Sequence, residues 1–517
     1  MGRDVGAELE TTKVMEATRP GSADAGERVE RVPAMRRSPV IAEAPPVTGG
    51  DTRIGTARAA GPPVALAAHA PAAANTGSER RAGRAGGTFA ALRVPNYRRF
   101  ISGQIVSLCG TWMQTIALGW LVLSLGASGT MLGVVTAAQF LPILLLGAYG
   151  GLVADRSDTR KLLITTASAQ ATLAAVLGVL VLSHAVSLWM VIAFAALQGL
   201  TQAADNPARQ SFVQEMVGSD TLPNAVTLNS VTMNAARVLG PAFAGVIITF
   251  VGTGMCFILN AASFAAVILA LGRLDRSALR PKRRLTRAPG QIREGFRYAV
   301  RTPGIRIPLM MMVITGTLAY EFQVTLPLVA RETFHGTAAT YSLLTGAMGV
   351  GAVVGGLLVA RRRLTGVRTL VAVAAVFGVL ILVAAAAPSL VLAVAALVLT
   401  GAASVALIST GNATVQLSAD PRMRGRVMAL WSMAFLGTTP VGGPIAGAVA
   451  QALGARASLV LAGVAALASA LLGLASLRRI AAHEPTATDP VPPTNPIRSA
   501  DPSLAASRDS TRAHSAR

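Results

Sequence analysis

The chain reads GGLVADRSDTRK at residues 150–161, and this run lies between two long apolar stretches. A similar run, GGLLVARRR at residues 355–363, occupies the same kind of position in the second half of the chain. Each run begins with two glycines at the end of an apolar stretch and continues into basic residues. The recurrence predicts a membrane protein built from two related halves, whose function depends on movement of one half against the other.

The composition is that of a membrane protein. Hydrophobic residues make up 52 % of the 517 residues, charged residues make up 14 %, and the mean hydropathy is +0.54. Soluble chains carry about 25 % charged residues. From Arg99 to Leu477, apolar runs of about twenty residues follow one another, the length at which a helix crosses a hydrocarbon core of ~30 Å. Because these runs do not alternate like barrel strands, we expect an all-α membrane protein.

The sequence predicts twelve transmembrane helices in two six-helix pseudo-symmetric halves. The predicted spans are 100–126, 130–153, 161–183, 187–207, 223–250, 253–272, 306–330, 338–359, 367–387, 389–411, 425–451 and 455–476. They leave an N-terminal tail (1–90), an N-terminal half (91–272), a basic cytoplasmic linker (273–305), a C-terminal half (306–476) and a C-terminal tail (477–517). We expect both tails to be disordered, because they lack apolar periodicity. For the first tail a misassigned start is an alternative, with Met15 or Met35 as the true start.

Basic residues are concentrated in alternate loops. One set of loops carries Arg156, Arg160, Lys161, Arg209, Arg280, Lys282, Arg283, Arg284, Arg287, Arg361, Arg362, Arg363, Arg368, Arg422, Arg424 and Arg426, and the other set carries only Arg331 and Arg456. Short basic loops stay cytoplasmic, so we predict a multi-pass protein of the cell inner (plasma) membrane with both termini cytoplasmic. The net charge of +22 then reflects topology and attraction to anionic membrane lipids. No basic patch is interleaved with aromatic residues, so we expect no nucleic-acid partner.

The linker contains a segment of its own. Residues 292–300 read IREGFRYAV, with apolar and basic residues at helical spacing. This pattern is typical of a helix that lies on the inner membrane surface. A solvated connector is the alternative.

The motifs resemble those of the major facilitator superfamily, and within it the drug-efflux group that includes enterobactin exporters and macrolide efflux proteins. Gly151, Asp155, Arg156, Arg160 and Lys161 resemble the signature of the superfamily's loop between spans 2 and 3. The segments NYRRF (96–100), PARQSF (207–212), LPNAVTLNS (222–230) and RGRVM (424–428) follow in the order typical of this group. The resemblance covers residues 92–476 and implies the major facilitator fold.

The resemblance also implies that Gly151, Asp155, Arg156, Arg160 and Lys161 form a gate that locks the cytoplasmic side in the outward-open state. Gly151 would permit close approach of a neighbouring helix. We expect Asp155 to contact basic residues or the amides at a helix N-terminus, and the arginines to pair with acids. In the second run Ala360 stands in the place of Asp155, so we assign the lock to the first run alone. The alternative is that the basic residues serve only topology.

Two glycine–proline segments predict hinges or close helix packing. Span 5 contains Gly240, Pro241 and Gly245, and span 11 contains Gly443, Pro444 and Gly447. Proline removes a backbone donor and bends a helix, while glycine lets the next helix come close. The resemblance adds that antiporter members have a similar segment in span 5. We interpret the pair as a hinge or a close-packed seam between the halves, with plain small-residue packing as the alternative.

Few ionisable residues lie inside the predicted spans, where they are costly and usually functional. Glu321, in span 7, is the first candidate for a carboxylate that exchanges protons, and Asp155 and Asp205 follow it. A structural or vestibule role for Glu321 is the alternative. Arg237, in span 5, has three possible partners: Glu321, an anionic substrate, or a carboxylate in the loop between spans 4 and 5. For Arg237 we favour a structural role.

Amide and aromatic side chains within the spans suit a large, amphipathic, poorly charged substrate. The resemblance implies that spans 1, 4, 7 and 10 line a central cavity. The candidates are Gln104, Trp112, Gln114, Trp120, Gln139, Gln198, Gln202, Asn234, Arg237, Tyr320, Phe322 and Gln323. The alternative is that the aromatic residues face lipid or pack within the protein.

These features favour a monomeric secondary transporter that exports a drug-like, siderophore-like or other amphipathic small molecule in exchange for protons, by alternating access. The alternative is a proton-coupled symporter that takes up a metabolite. A membrane enzyme and a non-transporting receptor are less favoured. The five histidines lie far apart in tails and outer loops, and no catalytic, metal-binding or nucleotide-binding constellation accompanies them. We therefore expect no enzymatic activity, no cofactor and no metal.

The orientation can be tested by labelling. In a variant without Cys109 and Cys256, cysteines introduced at Ser277 and Thr337 should react with an impermeant maleimide from opposite sides of the membrane. Labelling of permeabilised cells measures the total reactive fraction. If both positions react fully in intact cells, the predicted topology is wrong.

Overall fold

The computed structural model describes residues 89–280, 291–362 and 364–483. The predictions for residues 1–88, Lys282, Arg283, Arg284, Arg287, Arg363 and residues 484–517 lie outside the described residues. Every regular element in these three ranges is helical. The prediction of an all-α membrane protein is therefore confirmed for the described part of the chain.

We keep the span numbers of the sequence analysis. The helices are Pro95–Ser124 (span 1), Gly129–Arg156 (span 2), Thr159–Leu182 (span 3), Leu188–Phe250 (spans 4 and 5), Thr253–Gly272 (span 6), Pro303–Leu318 with Phe322–Leu328 (span 7), Ala338–Arg362 (span 8), Val367–Ala386 (span 9), Leu390–Ser418 (span 10), Arg424–Leu436 with Thr439–Leu453 (span 11) and Ala455–His483 (span 12). Short connections make successive spans antiparallel. We call the end at which spans 1, 3, 5, 7, 9 and 11 begin the basic end, and the other the opposite end.

Spans 4 and 5 are two helices within Leu188–Phe250 that meet directly at a kink at Gly218, so residues 208–217 and 219–222 are helical where the sequence predicts a loop. The first helix continues because Ala208, Phe212 and Met216 are apolar and pack in a buried cluster with residues of spans 1 and 3. Gly218 alone breaks the helical geometry, with φ 71° and ψ −179°, a region that favours glycine. Among the described residues eleven helices are long and apolar enough to cross a membrane. This count treats Leu188–Phe250 as one helix. The predicted count of twelve spans is reached if that segment is divided at Gly218.

Spans 7 and 11 are interrupted, although the sequence predicts both as continuous. Span 7 stops at Leu318, resumes at Phe322 and ends in a π-helical turn at Val329–Thr333. Span 11 stops at Leu436 and resumes at Thr439, with a proline in the first turn of its second piece. Proline has no amide donor and is favoured where a helix starts. The predicted hinge at Gly443 and Pro444 thus lies inside a helix, a few residues after the observed break.

Contacts within the first half recur in the second. Gly150 of span 2 approaches the backbone of Ala203 in span 4, and Gly355 of span 8 approaches Ala402 in span 10. Spans 3 and 6 meet at Gly178, and spans 9 and 12 meet at Gly378. Close approach is thus observed at Gly150, and the close approach predicted at its neighbour Gly151 stays a prediction. The two GG runs therefore serve the same packing purpose in both halves.

The halves meet along glycines of spans 2 and 11, which we call the glycine seam: Gly129, Gly133, Gly443 and Gly447. A Cβ on Gly129 would lie 2.8 Å from the carbonyl oxygen of Gly447, and one on Gly443 would lie 3.1 Å from the oxygen of Gly133. The helices are thus in backbone contact. Gly443 and Gly447 lie at a contact between the halves.

Other contacts between the halves lie near the glycine seam, toward the opposite end. Gly245 of span 5 packs on Ser342 of span 8. The Thr130 hydroxyl donates to Gln451 Oε1 at 2.6 Å, and the Arg331 guanidinium donates to the Leu123 carbonyl oxygen. The protein is therefore closed at its opposite end.

The linker helix, Gln291–Arg301, forms where the sequence predicts it. Arg426 Nη1 lies 2.6 Å from Glu294 Oε2, and the amide of Asp420 donates to the Tyr298 hydroxyl at 3.0 Å. Phe296 and Val300 remain exposed on the other face. The helix thus packs on the loop between spans 10 and 11. Its outer face is apolar, and contact of this face with the membrane stays a prediction.

Substitution of one seam glycine tests the backbone contact. Gly447→Ala should lower the free energy of unfolding by about 1–3 kcal/mol, because its methyl group collides with the backbone of Gly129. Gly346→Ala in span 8 is the matched control, since nothing lies within 4 Å of its added Cβ. The control should be neutral or slightly stabilising, as alanine favours the helix. Denaturation of the purified variants in detergent gives both values, and equal stabilities would disprove the contact.

Candidate functional site

The candidate site lies between the halves, where spans 1, 5 and 7 approach each other. The guanidinium of Arg237, in span 5, lies 5.0 Å from the ring centre of Trp112, in span 1. The two spans come close because Gly240, one turn further along, packs directly on Trp112 and on the Cys109 carbonyl. Tyr320, from the second half, lies within electrostatic range of Arg237. The structure therefore brings together three predicted cavity residues: Trp112, Arg237 and Tyr320.

Arg237 is charged at all accessible pH values. Its side chain is half-buried, and its Nε is fully buried without a hydrogen-bond partner in the described part of the protein. Arg209 pairs with Asp205 and Arg426 pairs with Glu294 in the described part, and neither pair involves Arg237. The possible pairing of Arg237 with Glu321 or with a carboxylate between spans 4 and 5 is not observed among the described residues.

Tyr320 lies at the interruption of span 7 and is held by groups of the second half. Its ring centre lies 5.2 Å from that of Phe377 and 5.1 Å from that of Phe435, and it also contacts Phe322. Its hydroxyl donates to the Ser404 carbonyl at 2.8 Å. Aromatic packing of this kind fixes the position of a ring. These contacts thus hold the chain in place at the interruption of span 7.

Glu321 follows directly and is 3 % exposed. Its carboxyl lies against span 11: a Cβ on Gly442 would be 2.7 Å from Glu321 Oε1, and one on Gly443 would be 3.6 Å from Oε2. The Thr439 side chain hydrogen-bonds the carboxyl, whereas Oε1 has no partner among the described atoms. Gly442 is required chiefly by the span 7 backbone, because its added Cβ would also lie 1.7 Å from the Thr317 carbonyl oxygen. Glu321 therefore lies immediately behind the glycine seam.

Asp205 and Gln104, predicted for proton exchange and for the cavity, belong to a buried network inside the first half. The Thr166 hydroxyl donates to Asp205 Oδ1 at 2.7 Å, and Arg209 Nε donates to Asp205 Oδ2 at 3.1 Å. Arg209 also donates to Gln104 Oε1. This network joins spans 1, 3 and 4. Its hydrogen bonds favour a structural role for both predicted residues.

Sequence reasoning missed Arg209 because it assigned the residue to a loop. The available signal was its spacing from Asp205, four residues earlier, which places the two on one helical face. In the structure both residues lie in the same helix, so the spacing does place them on one face.

The remaining cavity candidates are dispersed. Asn260 donates to Gln114 Oε1 at 2.7 Å, so Gln114 connects spans 1 and 6. Asn234 donates to the Ser230 carbonyl of its own helix, and Gln198 is buried with its Oε1 unpaired in the described set. Gln202, Gln323, Trp120 and Gln139 are half-buried. Their roles as substrate contacts remain predictions.

The predicted gate cluster is anchored within the first half. Arg160 Nε donates to the Leu271 carbonyl at 2.6 Å, and Arg160 Nη2 donates to the Gly272 carbonyl at 3.1 Å. The expected acid partner of Arg160 is thus replaced by the C-terminus of span 6, where a cation is favourable. Asp158 caps span 3 by accepting from the Lys161 amide at 3.0 Å. Asp155 is half-buried in the last turn of span 2, and Arg156 beside it is exposed.

Within the described ranges, no group of three or more His, Cys, Asp or Glu residues could hold a metal ion.

The helical fold and the half-to-half site define a major facilitator-type transporter. The family profile described as "Transmembrane secretion effector" matches residues 86–500, and the chain belongs to this family. The resemblance stated from the motifs is therefore confirmed.

Curated relatives match the chain over part of their length. The chain is 27 % identical to the staphyloferrin A transporter of Staphylococcus aureus, over 49 % of this chain and 64 % of the relative. It is 22 % identical to macrolide efflux protein A of Streptococcus pyogenes, over 50 % and 64 %. It is 26 % identical to the multidrug efflux pump Tap of Mycobacterium tuberculosis, over 42 % and 53 %. The matches thus span less than two thirds of these relatives.

Solved structures support the fold. The nucleoside transporter NupG superposes with a TM-score of 0.58 at 13 % identity, over 74 % of this chain and 99 % of that chain. A bacterial homologue of the human lysosomal transporter Spinster, in an inward-facing and unoccupied conformation, gives 0.59 at 16 % identity, over 75 % and 97 %. At such identities the likeness concerns the fold alone.

The Asp205–Arg209 pair can be tested by a double-mutant cycle. Arg209→Met should destabilise the protein by about 3–5 kcal/mol, because Asp205 is left buried without its cation. The combined change Asp205→Asn and Arg209→Met should recover much of this loss. Denaturation in detergent measures all variants. If the losses of the single variants simply add, the pair is not coupled.

Proposed function

We propose that this protein is a proton-coupled exporter of amphipathic small molecules that works by alternating access. The proposal depends on one observation: Glu321, a buried acid without an ion-pair partner in the described residues, touches the span that closes the seam between the halves. Its family, and relatives named for siderophore transport, macrolide efflux and multidrug efflux, support export. The active unit is a monomer, and its partners are the substrate, protons and membrane lipids.

Glu321 couples protons to movement through its position. While the glycine seam is closed, Gly442 and Gly443 cover the carboxyl and exclude water. Separation of spans 2 and 11 at this end would admit water to it. The carboxyl would take up an external proton while the seam is open, and substrate that enters from the basic end after the seam closes would displace this proton toward the cytoplasm. The substrate then leaves as the proton enters.

The two ends close in turn. The basic end faces the cytoplasm, together with both termini, according to the distribution of arginine. In the state described, the glycine seam, the Thr130–Gln451 bond and Arg331 close the opposite, external end. In the outward-open state the gate residues Gly151, Asp155, Arg156, Arg160 and Lys161 hold the cytoplasmic side shut. The attachment of Arg160 to span 6 gives this loop a firm base.

Glu321→Gln should retain substrate binding and lose uphill transport, because glutamine keeps size and hydrogen bonding but cannot exchange a proton. Everted membrane vesicles, energised with a proton gradient, are offered ethidium, erythromycin and 2-naphthoate. Wild-type vesicles should accumulate at least one compound and should stop when a protonophore is added. The variant should fall to the level of vesicles without transporter.

Two further variants sharpen this test. Glu332→Gln removes an exposed acid near the external end of span 7 and should leave coupling intact. Asp155→Asn should slow transport without uncoupling it, since the gate is weakened while Glu321 remains. Full gradient-driven accumulation by Glu321→Gln would move the coupling role away from this residue. Accumulation only in right-side-out vesicles would show uptake instead of export.

A further inference from the structure

We propose that Arg237 binds a carboxylate group of the transported molecule, so that the substrates are amphipathic organic acids. This inference rests on the proposed transport function and names the substrate class of that site. It follows from how the structure balances the charges that it places at membrane depth.

Three groups carry charge there in the described spans: the Asp205–Arg209 pair, Glu321 and Arg237. The first is balanced internally. Glu321 can become neutral by binding a proton, whereas a guanidinium cannot lose its charge in a protein. An unbalanced charge at membrane depth is costly and marks a functional position. Arg237 therefore needs an anion from outside the chain.

None of the observed contacts of Arg237 supplies a negative charge to its guanidinium. The Trp112 ring, 5.0 Å away, provides a cation–π interaction, which is weaker than a close ion pair. The Tyr320 hydroxyl donates to the Ser404 carbonyl and offers Arg237 no negative charge. Glu321 is turned toward Gly442 and Gly443 of span 11. The planar fork of the guanidinium matches a carboxylate, which can accept two hydrogen bonds from it.

The location suits a substrate that drives movement. Arg237 and Trp112 belong to the first half, and Tyr320 belongs to the second. A ligand on Arg237 that also touches Tyr320 would contact both halves, so its affinity must differ between states in which they are apart or together. The aromatic rings favour an acid with a planar apolar portion.

The test uses the full chain in detergent and three matched probe pairs: 2-naphthoate, indole-3-acetate and dodecanoate, each against its neutral amide. In the wild type, the acids should raise the melting temperature more than their amides do. Arg237→Met should abolish this difference, and Arg237→Lys should keep part of it. Arg306→Met, which removes an exposed arginine at the basic end, is the matched control and should keep the difference.

The melting temperature without ligand separates binding from a structural role. Because Arg237 is unpaired, empty Arg237→Met should melt at or above the wild-type temperature. If the variant melts lower while the acids keep their advantage, Arg237 is structural and the inference is overturned. It is equally overturned if no acid exceeds its amide in the wild type. Transport that still depends on Glu321 would then leave the proposed function standing without its substrate class.

Discussion

Backbone contact between spans 2 and 11 is the constraint on which the rest of the arrangement depends. Gly129 and Gly133 lie directly on Gly447 and Gly443, so the halves are in contact without intervening side chains. This closeness brings span 11 to the interruption of span 7, where Gly442 makes room for the Glu321 carboxyl. Close packing of this kind is bistable rather than continuously deformable. Glu321, the residue proposed above to exchange protons, lies directly behind this contact.

The sequence predicted the fold class well because bilayer thickness imposes a length that composition reveals directly. It failed where tertiary contacts override local patterns. Residues 208–222 resembled a loop, but burial of Phe212 and Met216 keeps them helical. The interruption before Glu321 had no local signal as clear as a glycine–proline pair, since Tyr320 is held there by Phe377 and Phe435 from elsewhere in the chain.

For the candidate site, the rarity of charged residues in the spans was a better guide than the assumption that amide side chains line a cavity. Glu321 and Arg237 were singled out because charge is rare in the spans, and both lie at contacts between the halves. Gln104 and Gln114 were chosen as cavity amides, yet each is bound inside the first half, to Arg209 and Asn260. An amide carries no sign of whether it faces a neighbour or a solvent-filled space. Only the rotation of each helix decides this, and apolar membrane segments give little indication of it.

The linker between the halves has a mechanical consequence. Arg280 is fixed to the first half, where its amide donates to the Glu215 carbonyl at 3.0 Å. The helix that begins at Gln291 is fixed to the second half through Glu294 and Arg426. The chain from residue 280 to residue 291 can stretch to about 40 Å at most. While both anchors hold, this segment limits how far the basic ends of the two halves can move apart.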